Sequence, residues 1–407
     1  MIIPIAWRNV WRNRLRSLVV IIAITLGIFA GVFATSFMKG MVDQRIQSAI
    51  QTETSHLQIH HPDFKQEDKL LQFIPDANSK LDSITKLSSV ESASSRIVIN
   101  CMITAAGTGS GVSLSAIQPE SEKKITNIHE NIVQGTYFQD IPKRVEPIVM
   151  GEKLAEKLNA KIKSRIVIQF ADTAGNPVSL GFRLMGIFKT HNSQFDMQNV
   201  FVRTGDINDV AGLPANAGHE IAVLLKDNDH LETSEKQIAG MFPAQKVSSW
   251  KEISPELNYL NDIMGQYMYI IIVIILLALL FGIVNTMLMA VLERIKELGM
   301  LMAIGMNRKR IFLMIMMESV FLAIVGGITG IMLGYGVTEI LGQTGIDLSM
   351  YAEGLGAMGS STMVYPDIDL DTLAGVAALV VLTGVLSAIY PAVKALQLNP
   401  ADSIRIE

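Results

Sequence analysis

One cysteine in 407 residues, Cys101, excludes an intrachain disulfide framework and is too few for a structural zinc site. Charge is scarce as well. Only 18% of the side chains are Asp, Glu, Lys or Arg, and a net charge of −4 gives no basic footprint for nucleic acid. No H-E-x-x-H, G-x-S-x-G or G-x-x-x-x-G-K-[ST] pattern occurs, so no zinc protease, serine hydrolase or P-loop ATPase is expected. What the chain has in excess is apolar residue, at 49% and a mean hydropathy of +0.35.

That excess is concentrated in four blocks, 18–38, 268–292, 311–337 and 372–393, whose only charged side chain is Glu318. At about 1.5 Å rise per residue, each is long enough to cross the roughly 30 Å hydrocarbon core of a bilayer. A soluble enzyme, a collagen and a disordered tail are thereby excluded. Residues 39–267 form a polar stretch of 229 residues, large enough for a core of its own, which also excludes a channel with most of its mass in lipid. The expected class is an α-helical membrane protein with four transmembrane helices and a large mixed α/β domain inserted between the first and second.

Basic residues resist translocation, so their placement orients the chain. Residues 1–17, 293–310 and 394–407 hold eleven Lys and Arg, whereas 338–371 hold six acidic residues and no basic one. Both termini and the middle loop are expected in the cytoplasm, and the inserted domain and the 338–371 loop on the periplasmic side. Val32-Phe33-Ala34 resembles a signal-peptidase site, but the apolar run continues through Met38, so an uncleaved span is expected. Before it, Arg8, Arg12 and Arg16 fall on one helical stripe and Trp7, Val10, Trp11 and Leu18 on another, the pattern of an interfacial helix over 1–17.

In the inserted domain, Leu57–His60, Arg165–Phe170, Phe182–Phe188 and Asn199–Val202 read as strands, and Gly151–Lys161 and His230–Met241 as helices. Gly107, Gly109 and Gly111 read as a flexible loop without phosphate-binding spacing. His56, His60 and His61 invite a metal reading, yet on a strand His61 faces away from the other two and no carboxylate has ligand spacing. No metal is expected.

The middle loop, ERIKELGMLMAIGMNRKR at 293–310, carries an apolar helical stripe of Leu298, Leu301, Met302 and Gly305 between polar flanks. Eighteen residues exceed the 2 to 8 or so that a plain connector needs, so a docking helix is expected. Glu318, about two turns into the third span, should face protein or water and pair with a basic residue. The same span continues with Gly326-Gly327, Gly330 and Gly334, whose spacing permits close contact with a partner helix.

The order of one span, a large domain and three spans, with RNVWRNRLRS at 8–17, ERIKELGMLMAIG at 293–305 and YPAVKALQLNPADSIR at 390–405, resembles the FtsX-like and MacB-like permeases of ABC transporters. SHLQIHHPDF at 55–64, AIQPESEKKI at 116–125, PIVMGEKLAEKLNAK at 147–161 and GIFKTHNSQFD at 186–196 are similar to the lipoprotein-releasing Lol permeases within that group. The resemblance implies an inner-membrane permease that binds no cofactor and is not itself an enzyme. It would work with a second permease subunit and a cytoplasmic ABC ATPase dimer, which holds the ATP and magnesium. It maps Glu293, Arg294, Glu297, Gly299, Leu301 and Gly305 onto the ATPase-coupling element, and Phe33, Phe37, Met41, Met264, Met268 and Ile271 onto a groove for a lipid-modified cargo, which suits adaptable Met-rich surfaces. A periplasmic chaperone is a doubtful partner. The Lol subunit that recruits one carries an extended hook, and only a short turn, Ala171–Gly181, stands in its place. Lipoprotein release is the leading expectation. Export of drugs, peptides or toxins in the MacB manner, and transmembrane control of a cell-wall hydrolase in the FtsX manner, are the alternatives.

Overall fold

The computed structural model describes residues 2–64, 70–139 and 146–397, apart from the side chain of Ile2. The end of the C-terminal motif, 398–405, and most of the expected tail therefore lie outside the described residues. The chain divides into two units: Met1–Val42 with Asn261–Asp347 and Met363–Glu407, and Asp43–Leu260 with Leu348–Thr362.

The first unit is helical because its apolar blocks have no other way to satisfy their backbone groups in lipid. Its four long helices, Arg14–Ala49, Pro255–Glu293, Arg308–Thr344 and Leu370–Leu396, are here called the first to fourth spans. Each runs past its apolar block into polar sequence. A shorter helix, Ile2–Arg12, precedes the first span, and another, Ile295–Ala303, joins the second to the third.

The glycine row of the third span has its partner in the first. A Cβ at Gly326 would lie 2.7 Å from Ile24, one at Gly330 2.9 Å from Ile28, and one at Gly334 2.7 Å from Val32. Three branched side chains at i, i+4 and i+8 therefore sit in three glycine notches, the close approach that only small residues allow. Thr25 and Thr329 share a hydroxyl hydrogen bond of 2.7 Å beside them. Gly327 meets Val380 of the fourth span in the same way. At the far end of the first span, Lys39 pairs with Asp367 at 2.5 Å and Asp369 at 3.1 Å.

The second unit is built on a ten-stranded mixed sheet. Its strands are β1 (Leu57–His60), β2 (Val90–Ala105), β3 (Thr108–Ile117), β4 (Ile132–Gly135), β5 (Pro147–Gly151), β6 (Arg165–Ala171), β7 (Pro177–Phe188), β8 (Asn199–Arg203), β9 (Glu220–Leu225) and β10 (Lys246–Ser249). β6 pairs with both β2 and β7, which closes the ring β2-β3-β8-β5-β7-β6 around a core that includes Ile103, Leu114, Ile148, Ile168, Leu184 and Val202. The first half of β2 leaves that ring and pairs with β9, which carries β1 and β10 beyond it.

Two local readings change. Gly109 and Gly111 are not in a loop but in β3, and only Ala106 and Gly107, at φ 49° and 86°, form the tight turn into it. β7 begins at Pro177, five residues before the expected Phe182, so the turn after β6 is reduced to Asp172–Asn176. There the Asp172 carboxylate accepts from the Ala174 and Asn176 amides at 2.9 and 2.8 Å and no hook protrudes. The three histidines separate as well: His56 and His60 are buried and His61 is half-buried. Among the described residues no group of metal-ligand side chains converges.

Candidate functional site

The elbow between the second and third spans gathers a cluster of polar residues of the first unit around Glu318. The helix Ile295–Ala303 follows directly on Glu293 and Arg294 and is stopped by Gly305, whose φ is +98°. The Gly305 amide donates to the Met302 carbonyl at 3.1 Å and the Met306 amide to the Leu301 carbonyl at 3.0 Å, the pair of hydrogen bonds of a glycine-terminated helix. Gly305 is thus the terminator of this helix and not a member of its apolar stripe. Asn307 then opens the third span by accepting from the Lys309 amide at 3.1 Å.

Glu318 is 7% exposed and points back to this elbow. Its Oε1 accepts from Asn9 Nδ2 at 2.7 Å, and Arg294 Nη1 lies 3.4 Å from both of its oxygens. Arg294 also donates through Nη2 to the Asn9 carbonyl at 3.3 Å, so one guanidinium ties the Ile2–Arg12 helix to the third span. Two further ion pairs surround the elbow: Arg12 of the N-terminal helix with Glu297 of the elbow helix at 2.5 Å, and Arg16 of the first span with Glu293 at the end of the second. A cavity of about 110 Å³ lies between these groups. Trp7 packs edge-on to Phe321 of the third span, with ring centres 5.4 Å apart.

This arrangement sorts the six elbow residues named from the resemblance. Glu293 pairs with Arg16 of the first span, Arg294 and Glu297 are engaged with Glu318 and the N-terminal helix, Gly299 is buried, Leu301 is half-buried and Gly305 is an exposed cap. The open face holds residues that the apolar stripe passed over. Met300 is 57% and Ile304 78% exposed, with Lys296 one turn before Met300. Their i, i+4, i+8 spacing is present in the sequence, but the helix carries apolar residues on both sides and nothing local marks which of them packs inward.

The six groove residues, Phe33, Phe37, Met41, Met264, Met268 and Ile271, are all half-buried. Phe29, Phe33 and Phe37 form a ladder along the first span with ring centres 6.2 and 6.4 Å apart. A distinct apolar cleft of about 320 Å³ opens nearer the Arg-rich end, between Val19, Ala23 and Gly27 of the first span and Ile275, Leu279 and Gly282 of the second. None of the six lines it.

The sequence profile of the FtsX-like permease C-terminal region matches residues 269–400, and that of the MacB-like periplasmic core domain matches residues 17–241, more than half of the chain. An uncharacterised ABC transporter permease of Methanocaldococcus jannaschii is 27% identical over 286 residues, covering 68% of this chain and 66% of that one. The lipoprotein-releasing system transmembrane protein LolC of Neisseria meningitidis is 22% identical over 333 residues, covering 75% and 76%. The macrolide export ATP-binding/permease protein MacB of Neisseria gonorrhoeae is 25% identical over 278 residues, covering 65% of this chain and 39% of that one. The chain thus matches just under two thirds of the first relative's length and much less of the third's. It belongs to the FtsX-like permease family and carries a MacB-like periplasmic core domain between its first and second spans.

Proposed function

We propose that the chain is the membrane subunit of an ABC transporter that draws lipoproteins out of the inner membrane, with ATP hydrolysed by a separate cytoplasmic ATPase pair. The observation that carries this reading is the balanced match to LolC, which covers three quarters of both proteins, whereas the match to MacB leaves more than half of that protein uncovered. The apolar cleft between the first and second spans supports it, since an acyl chain needs an apolar, pre-formed wall and few polar groups. The elbow supplies the other half of the reading. Met300 and Ile304 are the contact offered to the ATPase, while Arg294 and Glu297 tie the elbow to the N-terminal helix and Glu293 ties the second span to the first, so that a push on the elbow helix moves the N-terminal helix and the third span with it.

Depletion of the chain in its host tests this directly. Mature lipoproteins stranded in the inner membrane are the expected result. Correctly placed lipoproteins together with raised sensitivity to a toxic compound would replace the proposal with MacB-like export. A cell-wall hydrolase captured by the full-length protein, with lipoproteins correctly placed, would replace it with FtsX-like control.

A further inference from the structure

Four charged or chargeable side chains are buried in a row across the second unit, away from the ring core. Arg96 on β2 faces Glu220 on β9 in register, and Glu220 faces His60 on β1. Arg96 donates through Nη1 to Glu220 at 2.6 Å, and through Nη2 and Nε to Glu122 at 2.6 and 3.2 Å. All four residues are less than 10% exposed. With a neutral histidine these four side chains would sum to one negative charge, a costly state for a buried cluster.

The hydrogen bonds of His60 address that imbalance. Its Nδ1 lies 3.1 Å from the His219 carbonyl and its Nε2 lies 3.0 Å from Gln58 Oε1. A carbonyl can only accept. The Gln58 amide is oriented by its own Nε2, which donates to the Thr54 carbonyl at 2.9 Å and leaves the oxygen facing the ring. Both ring nitrogens therefore face acceptors, and a neutral imidazole, which has one N–H, would leave one of these contacts lone pair against lone pair.

We propose that His60 is a proton-binding site of the inserted domain, held as the imidazolium so that His60 and Arg96 together neutralise Glu122 and Glu220. Glu220 Oε2 stands 3.9 Å from Nε2, Phe64 stacks on the ring with centres 5.2 Å apart, and Lys246 is the register partner from β10, exposed at the sheet edge. His219, next to it on β9, is pushed below the ordinary histidine range by burial, despite its bond with the Leu70 carbonyl, and the His60 charge adds to that push. It stays neutral. The folded domain binds the His60 proton more tightly than the unfolded chain, so the β1–β9–β2 junction is fully held at and below the ordinary histidine range and loosens as pH rises past the point where His60 lets go.

The test is ring-nitrogen NMR of the full-length chain in lipid nanodiscs, labelled at its seven histidines, with His60→Gln to identify the His60 pair. Near pH 7.5, about one unit above the ordinary histidine value of about 6.5, both His60 nitrogens are expected in the protonated state. A bare nitrogen on His60 at that pH overturns the proposal. Gln58→Leu, which keeps His60 in place, gives a second reading should His60→Gln fail to fold. It should move the loss of the proton to lower pH by a several-fold drop in proton affinity, and an unchanged titration also overturns the proposal.

Discussion

Asn9 and Glu318 are 309 positions apart in the chain and joined by a 2.7 Å hydrogen bond, with Arg294 bridging the two. The bond fixes the N-terminal helix to the third span at the same point where the elbow helix begins. A buried carboxylate stripped of either partner would be left uncompensated, which is the reason to test this site first. Glu318→Leu should lower stability by about 3 kcal/mol, the scale for breaking a buried pair, read as earlier heat-induced loss of the monodisperse protein in detergent. Glu318→Gln keeps an acceptor for Asn9 and should cost clearly less. Equal losses for the two variants would show that the Asn9 hydrogen bond is not what holds the junction.

Gly305 occupies a backbone conformation that side chains with a Cβ avoid, with open space around it. Gly305→Ala should therefore cost about 1 kcal/mol through backbone strain alone. Gly305→Pro should cost more, because proline cannot adopt this φ and removes the amide that caps Met302. Both proteins should still insert, and coupling of ATP hydrolysis to transport should weaken in the order Ala then Pro. Undiminished coupling in the proline variant would remove the elbow from the mechanism.

Two glycines of the third span should respond with opposite sign to the same change. A Cβ at Gly330 meets Ile28 and the Thr25 carbonyl at 2.9 Å, whereas one at Gly336 meets nothing within 4 Å. Gly330→Ala should destabilise by about 1 to 3 kcal/mol through overpacking. Gly336→Ala should stabilise by up to about 1 kcal/mol, because alanine is the better helix former. Thermal midpoints in one detergent decide it, and a stabilising Gly330→Ala would refute the glycine-notch packing.

Asp196 gives the second unit a pH dependence of a definite sign. Burial raises its carboxyl to about 6, against the lowering effect of the Thr190 hydroxyl and amide, which bond to it at 2.7, 3.0 and 3.2 Å. A carboxyl with a raised folded value favours the folded state below its ordinary range, near pH 4, and that contribution is lost as pH rises through about 6. Asp196→Asn should abolish this part of the dependence and gain stability at neutral pH, by on the order of 3 kcal/mol at most. Melting curves of the full-length protein at pH 4.5 and 7.5 check it. A loss of stability in the variant at the higher pH would mean that the ionised carboxylate is well served where it stands.

Met300 and Ile304 carry no visible share of the fold, since both project outward from the elbow helix. Changing both to serine should leave thermal stability within about 0.5 kcal/mol. Under the proposed coupling role it should abolish co-purification of the ATPase, and normal recovery of that subunit would place its contact elsewhere.

The four spans, the inserted domain and the four strands named from its sequence were legible because hydropathy and period-2 alternation are local properties. The glycine row was legible too, but not its partner, since nothing within Gly326–Gly334 distinguishes Ile24, Ile28 and Val32 from any other branched apolar side chains in the spans. Glu318 announced that it needed company, yet Asn9 could not be read as part of that company because an uncharged amide in a basic, aromatic segment carries no signal. The elbow departs from its expected pattern at its end, where Gly305 caps the helix. A glycine after a short apolar helix is a stop signal, and with Gly305 outside the stripe Met300 and Ile304 define the outward face.

The sequence by itself determined how many times the chain crosses a bilayer, which stretch stands outside it and which family it joins, because transfer of a segment from water to lipid depends only on the residues in that segment. The tertiary structure alone decided which glycine receives which side chain, which arginine reaches Glu318 and which histidine lies between two acceptors. Those choices depend on distances between residues tens to hundreds of positions apart, and no local pattern encodes them.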